Sequence, residues 1–74
     1  MNKGMLWFDN DPKTDLAKKI EKAVAYYQAK YGYKPNAARV NPSALAAEAE
    51  IGGVSVHPYR PVLPGHIWIG MEEA

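Results

Sequence analysis

The stretch DPKTDLAKKIEKAVAYYQAKYG, residues 11–32, decides the fold. Leu16, Ile20, Ala23, Val24, Tyr27 and Tyr31 recur at the three-and-four spacing of one helical face, while Lys18, Lys19, Glu21, Lys22 and Gln28 fall elsewhere on the wheel. The spacing predicts an amphipathic helix over 12–31, with one face in the core and the other in water. Asp11 is placed to accept hydrogen bonds from the first-turn amides. Pro12 then takes the first helical position, where its missing N–H costs nothing, and Asp15 suits the positive end of the dipole. Gly32 suits the left-handed residue that ends a helix, and Pro35 prevents a restart.

Outward from the helix the pattern changes. Five of the six prolines (Pro35, Pro42, Pro58, Pro61, Pro64) follow it, and the apolar residues come in short runs. Residues 37–41 predict a short strand ended by Pro42. Residues 42–50 are rich in alanine and predict a short second helix, capped by Asn41, opened by Pro42 and broken by Gly52-Gly53. Val54 and Val56 alternate with Ser55 and His57, and Ile67 and Ile69 with His66 and Trp68; this is the pattern of two strands that each show one face to a core. Residues 58–65 connect them. Leu6 to Phe8, ahead of the helix, adds a further strand and a β-α-β start.

The expectation is therefore an α+β domain in the order β-α-β-α-β-β: one long amphipathic helix packed on a small three- or four-stranded sheet, with a short second helix. A chain of 74 residues makes a single domain over 1–74, with residues 1–4 and 72–74 expected to fray. So small a domain exposes much of its surface and gains from a partner. The absence of cysteine excludes disulfides, thiolate metal sites and a cysteine nucleophile. No run is long and apolar enough to span a membrane, and Met1 to Gly4 lacks the character of a secretory leader, so a cytoplasmic location is expected.

The net charge of +1 hides an asymmetry. Residues 1–39 carry eight of the nine Lys and Arg against four acids, whereas residues 40–74 carry Arg60 against Glu48, Glu50, Glu72 and Glu73. Lys18, Lys19, Lys22, Lys30, Lys34 and Arg39 could track phosphates, giving a small nucleic-acid-binding protein as the alternative reading. Asp15 and Glu21 interrupt that patch, and a solvated helix face accounts for it more simply.

Other constellations offer little chemistry. Asp9-Asn10-Asp11 begins like a cation loop, but the later ligands of an EF-hand are missing, and a cap and a turn explain both carboxylates. His57 and His66 are expected to approach across a hairpin, yet two imidazoles lack the third ligand of a zinc site. A hydrolase or metalloprotein centred on them is the least favoured class. Ser43 and Ser55 lie in no nucleophile motif, and Gly52-Gly53 is followed by no phosphate-binding Lys-Ser or Lys-Thr. No catalytic, metal or cofactor residues are assigned, and no cofactor is expected.

The stretch 58–65 reads differently. Three prolines in seven residues stiffen a loop bearing Tyr59, Arg60 and Leu63, which suits presentation to a partner at low entropic cost. Trp68, out of phase with Ile67 and Ile69, is expected to face away from the core.

Beyond the helix, Tyr31-Gly32-Tyr33-Lys34-Pro35-Asn36, then Ala38-Arg39-Val40-Asn41-Pro42-Ser43-Ala44-Leu45, Gly52-Gly53-Val54-Ser55-Val56 and Gly65-His66-Ile67-Trp68-Ile69-Gly70 follow in order. Over residues 15–70 this resembles a segment of tailed-phage major capsid proteins and the related encapsulin shells. There a helix leads to a strand with an Asn-Pro-x-x-x-Leu-like end, then a Gly-x-Pro-Val strand and a last strand ending in Gly. Val54-Ser55-Val56 departs by lacking the proline, and the likeness covers only part of a capsid subunit. The resemblance implies a stand-alone α+β domain of phage or mobile-element ancestry and transfers no catalytic residue.

The functional expectation is a non-enzymatic protein-interaction or self-associating accessory domain. Tyr59, Arg60, Leu63 and Trp68 form its contact surface, and its partner is another protein or a second copy of itself, with no membrane involved.

Overall fold

Asp15, four residues later than expected, begins the helix. In the computed structural model, which describes residues 3–72, helix α1 runs Leu16–Tyr31, and the Asp15 carboxylate accepts from the Lys18 N–H at 2.9 Å. Asp11 is committed elsewhere: it accepts from the Lys13 N–H at 2.9 Å and the Thr14 hydroxyl at 2.9 Å, closing a turn over residues 11–14. Those two bonds, the backbone one first, hold the Asp11 carboxyl below its ordinary range. At the far end Gly32 has φ 83° and its N–H bonds to the Gln28 carbonyl at 2.8 Å, the left-handed stop that the sequence predicts.

Five strands make one mixed sheet: β1 (Lys3–Phe8), β2 (Ala37–Val40), β3 (Ala49–Ile51), β4 (Val54–Pro58) and β5 (His66–Met71). Their order across the sheet is β1-β5-β2-β4-β3. Strand β5 lies antiparallel to both β1 and β2, so those two run parallel with β5 between them. Strand β4 pairs parallel with β2 and antiparallel with β3.

The expected architecture is corrected in two respects: the sheet has five strands rather than three or four, and the second helix over 42–50 does not form. Asn41 caps a turn there, with its Oδ1 accepting from the Ser43 N–H at 2.9 Å and its carbonyl from the Ala44 N–H at 2.8 Å. Residues 49–51 then pair with β4 through Gly52 and Gly53, at φ 61° and 80°. Two consecutive left-handed residues make the tight hairpin turn whose twist matches the flanking strands. A nine-residue helix is marginal by itself, and the ladder to β4 outweighs alanine's helical preference.

The core lies between α1 and one face of the sheet. Ile20, Ala23 and Tyr27 of the helix pack against Ala38, Val40, Val54, Val56, Ile67 and Ile69, all buried. Each large aliphatic side chain there contributes about 1.5–3 kcal/mol by leaving water. Met5 and Trp7 extend this layer along β1, with Trp7 tilted against Tyr26 at 5.1 Å between ring centroids. Tyr27 donates its hydroxyl to Tyr33 at 3.2 Å. Of the residues expected to fray, 1, 2, 73 and 74 lie outside those described. Lys3 and Gly4 belong to β1, and Glu72 exchanges two hydrogen bonds with the Asn36 side chain, at 2.9 and 3.0 Å. No helix among the described residues is long and apolar enough to cross a membrane.

Candidate functional site

Strand alternation that buries Met5, Trp7, Ala38, Val40, Ile67 and Ile69 under the helix turns the intervening side chains to the other face. Among the described residues no helix covers that face. Leu6 stands opposite Trp68, Phe8 opposite His66, and Arg39 opposite Trp68 on the other side. One row therefore runs Leu6, Trp68, Arg39, and His57 follows in register with Arg39.

The connection 59–65 closes over part of this face. It is not the turn of a β4–β5 hairpin, because β2 lies between those strands and the chain must cross over the end of β2. Two tight turns form it, with Val62 N–H donating to Tyr59 O at 3.1 Å and His66 N–H to Leu63 O at 3.0 Å. Tyr59 N–H reaches Val40 O at 2.7 Å, and Asn41 Nδ2 reaches Val62 O at 2.9 Å. The prolines supply fixed φ angles and these bonds fix the ends, so the loop is pinned, with Val62 buried beneath it.

Between loop and sheet lies an open groove of about 260 Å³, lined by Leu6, Arg39, Tyr59, Val62, Leu63 and Trp68 among others. Leu6 is 62%, Leu63 64% and neighbouring Phe8 57% exposed. Arg39, the cation that lines the groove among the described residues, is anchored. Arg39 donates to Glu72 at 2.7 Å, and its guanidinium lies 4.8 Å from the Tyr59 ring centroid and 6.0 Å from that of Trp68. Flanked by two aromatic faces and a carboxylate, it is held in place at the groove wall, although its buried Nε has no hydrogen-bond partner among the described residues.

Of the residues expected to form a contact surface, the fold brings Tyr59, Leu63 and Trp68 together around this groove; Arg60 is exposed and does not line it. Trp68 faces away from the core, half-buried against Gly4, and Trp7 packs on the opposite face. Leu6 and Phe8 were missed as surface residues, although their alternation with Met5 and Trp7 is the signal that finds them. Arg39 gives no such signal, because its partner Glu72 is 33 residues away.

The remaining candidates stay apart. His57 and His66 do not meet across a hairpin: His57 Nδ1 lies 3.0 Å from Glu48 Oε1, and His66 packs on Phe8 at 4.8 Å between centroids. Among the described residues no three His, Asp or Glu side chains gather as metal ligands. Lys18, Lys19, Lys22 and Lys30 belong to α1, Lys34 sits beside Gly53, and Arg39 occupies the opposite sheet face. The six cations form no single patch.

The chain matches no family model, no curated protein and no solved structure.

Proposed function

We propose that this chain is a non-enzymatic, self-associating interaction domain whose contact surface is the β1 side of the open sheet face. The observation that carries the reading is the cluster of exposed Leu6, Phe8 and Leu63 beside half-buried Trp68, on a face that no helix among the described residues covers. Apolar side chains grouped in this way, rather than scattered, mark a binding surface. A second copy is the occupant that suits a domain this small, since shared burial supplements a limited core.

Rigidity supports the same reading. The groove wall is held by the hydrogen bonds of residues 41 and 59–66, so little order is lost on docking. Sedimentation velocity from micromolar to millimolar protein tests it: a monomer–dimer equilibrium is expected, and Leu63→Lys should weaken it about tenfold or more. A monomer at every concentration would overturn the reading.

A further inference from the structure

Resting on self-association as the function, we infer that two copies join edge to edge through β1, in antiparallel register with the two-fold axis at Leu6. The sheet has two edges, β1 and β3, and they are not alike. Strand β3 is three residues long, carries Glu50 at its centre and ends in the Gly52-Gly53 turn, features that protect an edge from pairing. Strand β1 is six residues long and holds no proline and no acid.

The hydrogen-bond parity identifies which backbone groups are free. Asp9 donates its N–H inward to Gly65 O at 2.8 Å. In an antiparallel pair inward and outward residues alternate, so Trp7 and Met5 also face β5, and Phe8, Leu6 and Gly4 turn their N–H and C=O groups to the side where no strand lies among the described residues. Of these three, Leu6 and Phe8 place their side chains on the open face.

A second β1 can pair only through the same set. With the axis at Leu6, Leu6 faces Leu6 and Gly4 faces Phe8 of the second copy, each pair exchanging both N–H···O bonds. Gly4 has no side chain, and the Trp68 indole lies over it. Phe8 of the second copy, directly opposite Gly4, would therefore meet an aromatic surface already in place, the pairing by which aromatic rings cover glycine in sheets. The product is a continuous ten-stranded sheet, five strands from each copy, with both helices on one side and the apolar cluster doubled at its centre.

The chain has no cysteine, so a single Leu6→Cys reports the seam cleanly. In the proposed dimer a short bis-maleimide should link Leu6→Cys to itself, while Ser55→Cys, on β4 and away from the seam, should remain unlinked. Chemical synthesis with N-methyl-leucine at position 6 removes one outward N–H and leaves the side chain and the β5 ladder intact. It should weaken dimerisation about tenfold or more, with the circular dichroism spectrum unchanged. A dimer that survives N-methylation and does not link through position 6 would overturn the β1 seam while leaving self-association standing. A monomer at all concentrations would overturn both.

Discussion

The indole of Trp68 occupies the space that a side chain at residue 4 would need: a Cβ built on Gly4 overlaps Nε1, Cε2 and Cζ2 of the ring. Backbone conformation plays no part, because the φ of Gly4 is not positive. Gly4→Ala should therefore force Trp68 off its seat and cost about 1–3 kcal/mol, the usual range for overpacking. Urea unfolding measures the loss, and near-ultraviolet circular dichroism follows the indole. In the Trp68→Ala background the same change should cost little, because the two effects share one contact. Equal costs in both backgrounds would contradict the packing.

The hairpin turn gives a second prediction. Gly52 has φ 61°, and a Cβ there would make only an ordinary contact with the Glu21 side chain at 4.0 Å, so substitution is limited by conformation rather than by clash. Gly52→Val should destabilise by about 1–2 kcal/mol, whereas Gly52→Asn, which tolerates the left-handed region, should cost a few tenths. Chemical denaturation of the two variants checks this. Equal losses would mean that the turn does not require a positive φ.

These two positions show what local sequence can and cannot disclose. Helix α1 was legible because its apolar spacing is a local property, but its start was not, since Asp11 and Asp15 both suit a cap. The choice went to Asp15 because Asp11 bonds to Lys13 and Thr14. The Gly52-Gly53 pair suits the end of an alanine-rich helix, but two glycines between apolar runs equally signal a hairpin. Pairing with β4 decided between them. The insertion of β2 between β4 and β5 left no local trace, and it is what separates His57 from His66. At the candidate site, alternation disclosed the outward position of Trp68, while its neighbours Leu6 and Arg39 came from strands distant in sequence.

Asn36 ties the end of β5 to the start of β2. Its Oδ1 accepts from the Glu72 N–H at 2.9 Å and its Nδ2 donates to the Glu72 carbonyl at 3.0 Å. Asn36→Ala should cost about 1–2 kcal/mol for the two neutral hydrogen bonds. Glu72→Ala, which removes only the part-buried ion pair with Arg39, should cost less, about 0.5–1 kcal/mol, and its effect should shrink in high salt. Thermal melts of both variants at low and high ionic strength separate the contributions. A larger, salt-insensitive loss for Glu72→Ala would show that the ion pair matters more than the amide clamp.

The last prediction concerns alkaline pH. Tyr27 is fully buried; burial first, and then the hydrogen bond to Tyr33, push its phenol up to about 12 from an ordinary 10.0. The folded state therefore holds the phenolic proton more tightly than the unfolded chain does. Below pH 10 both states are protonated and stability does not depend on this group. Between 10 and about 12 only the unfolded chain ionises, so stability falls as pH rises, by about 2–3 kcal/mol across the interval. Urea midpoints measured from pH 8 to pH 12 should show this alkaline limb. Tyr27→Phe removes the ionisable group and keeps the ring, so it should flatten most of the limb at the cost of one hydrogen bond to Tyr33. An equally steep limb in Tyr27→Phe would place its origin in the other tyrosines or the lysines.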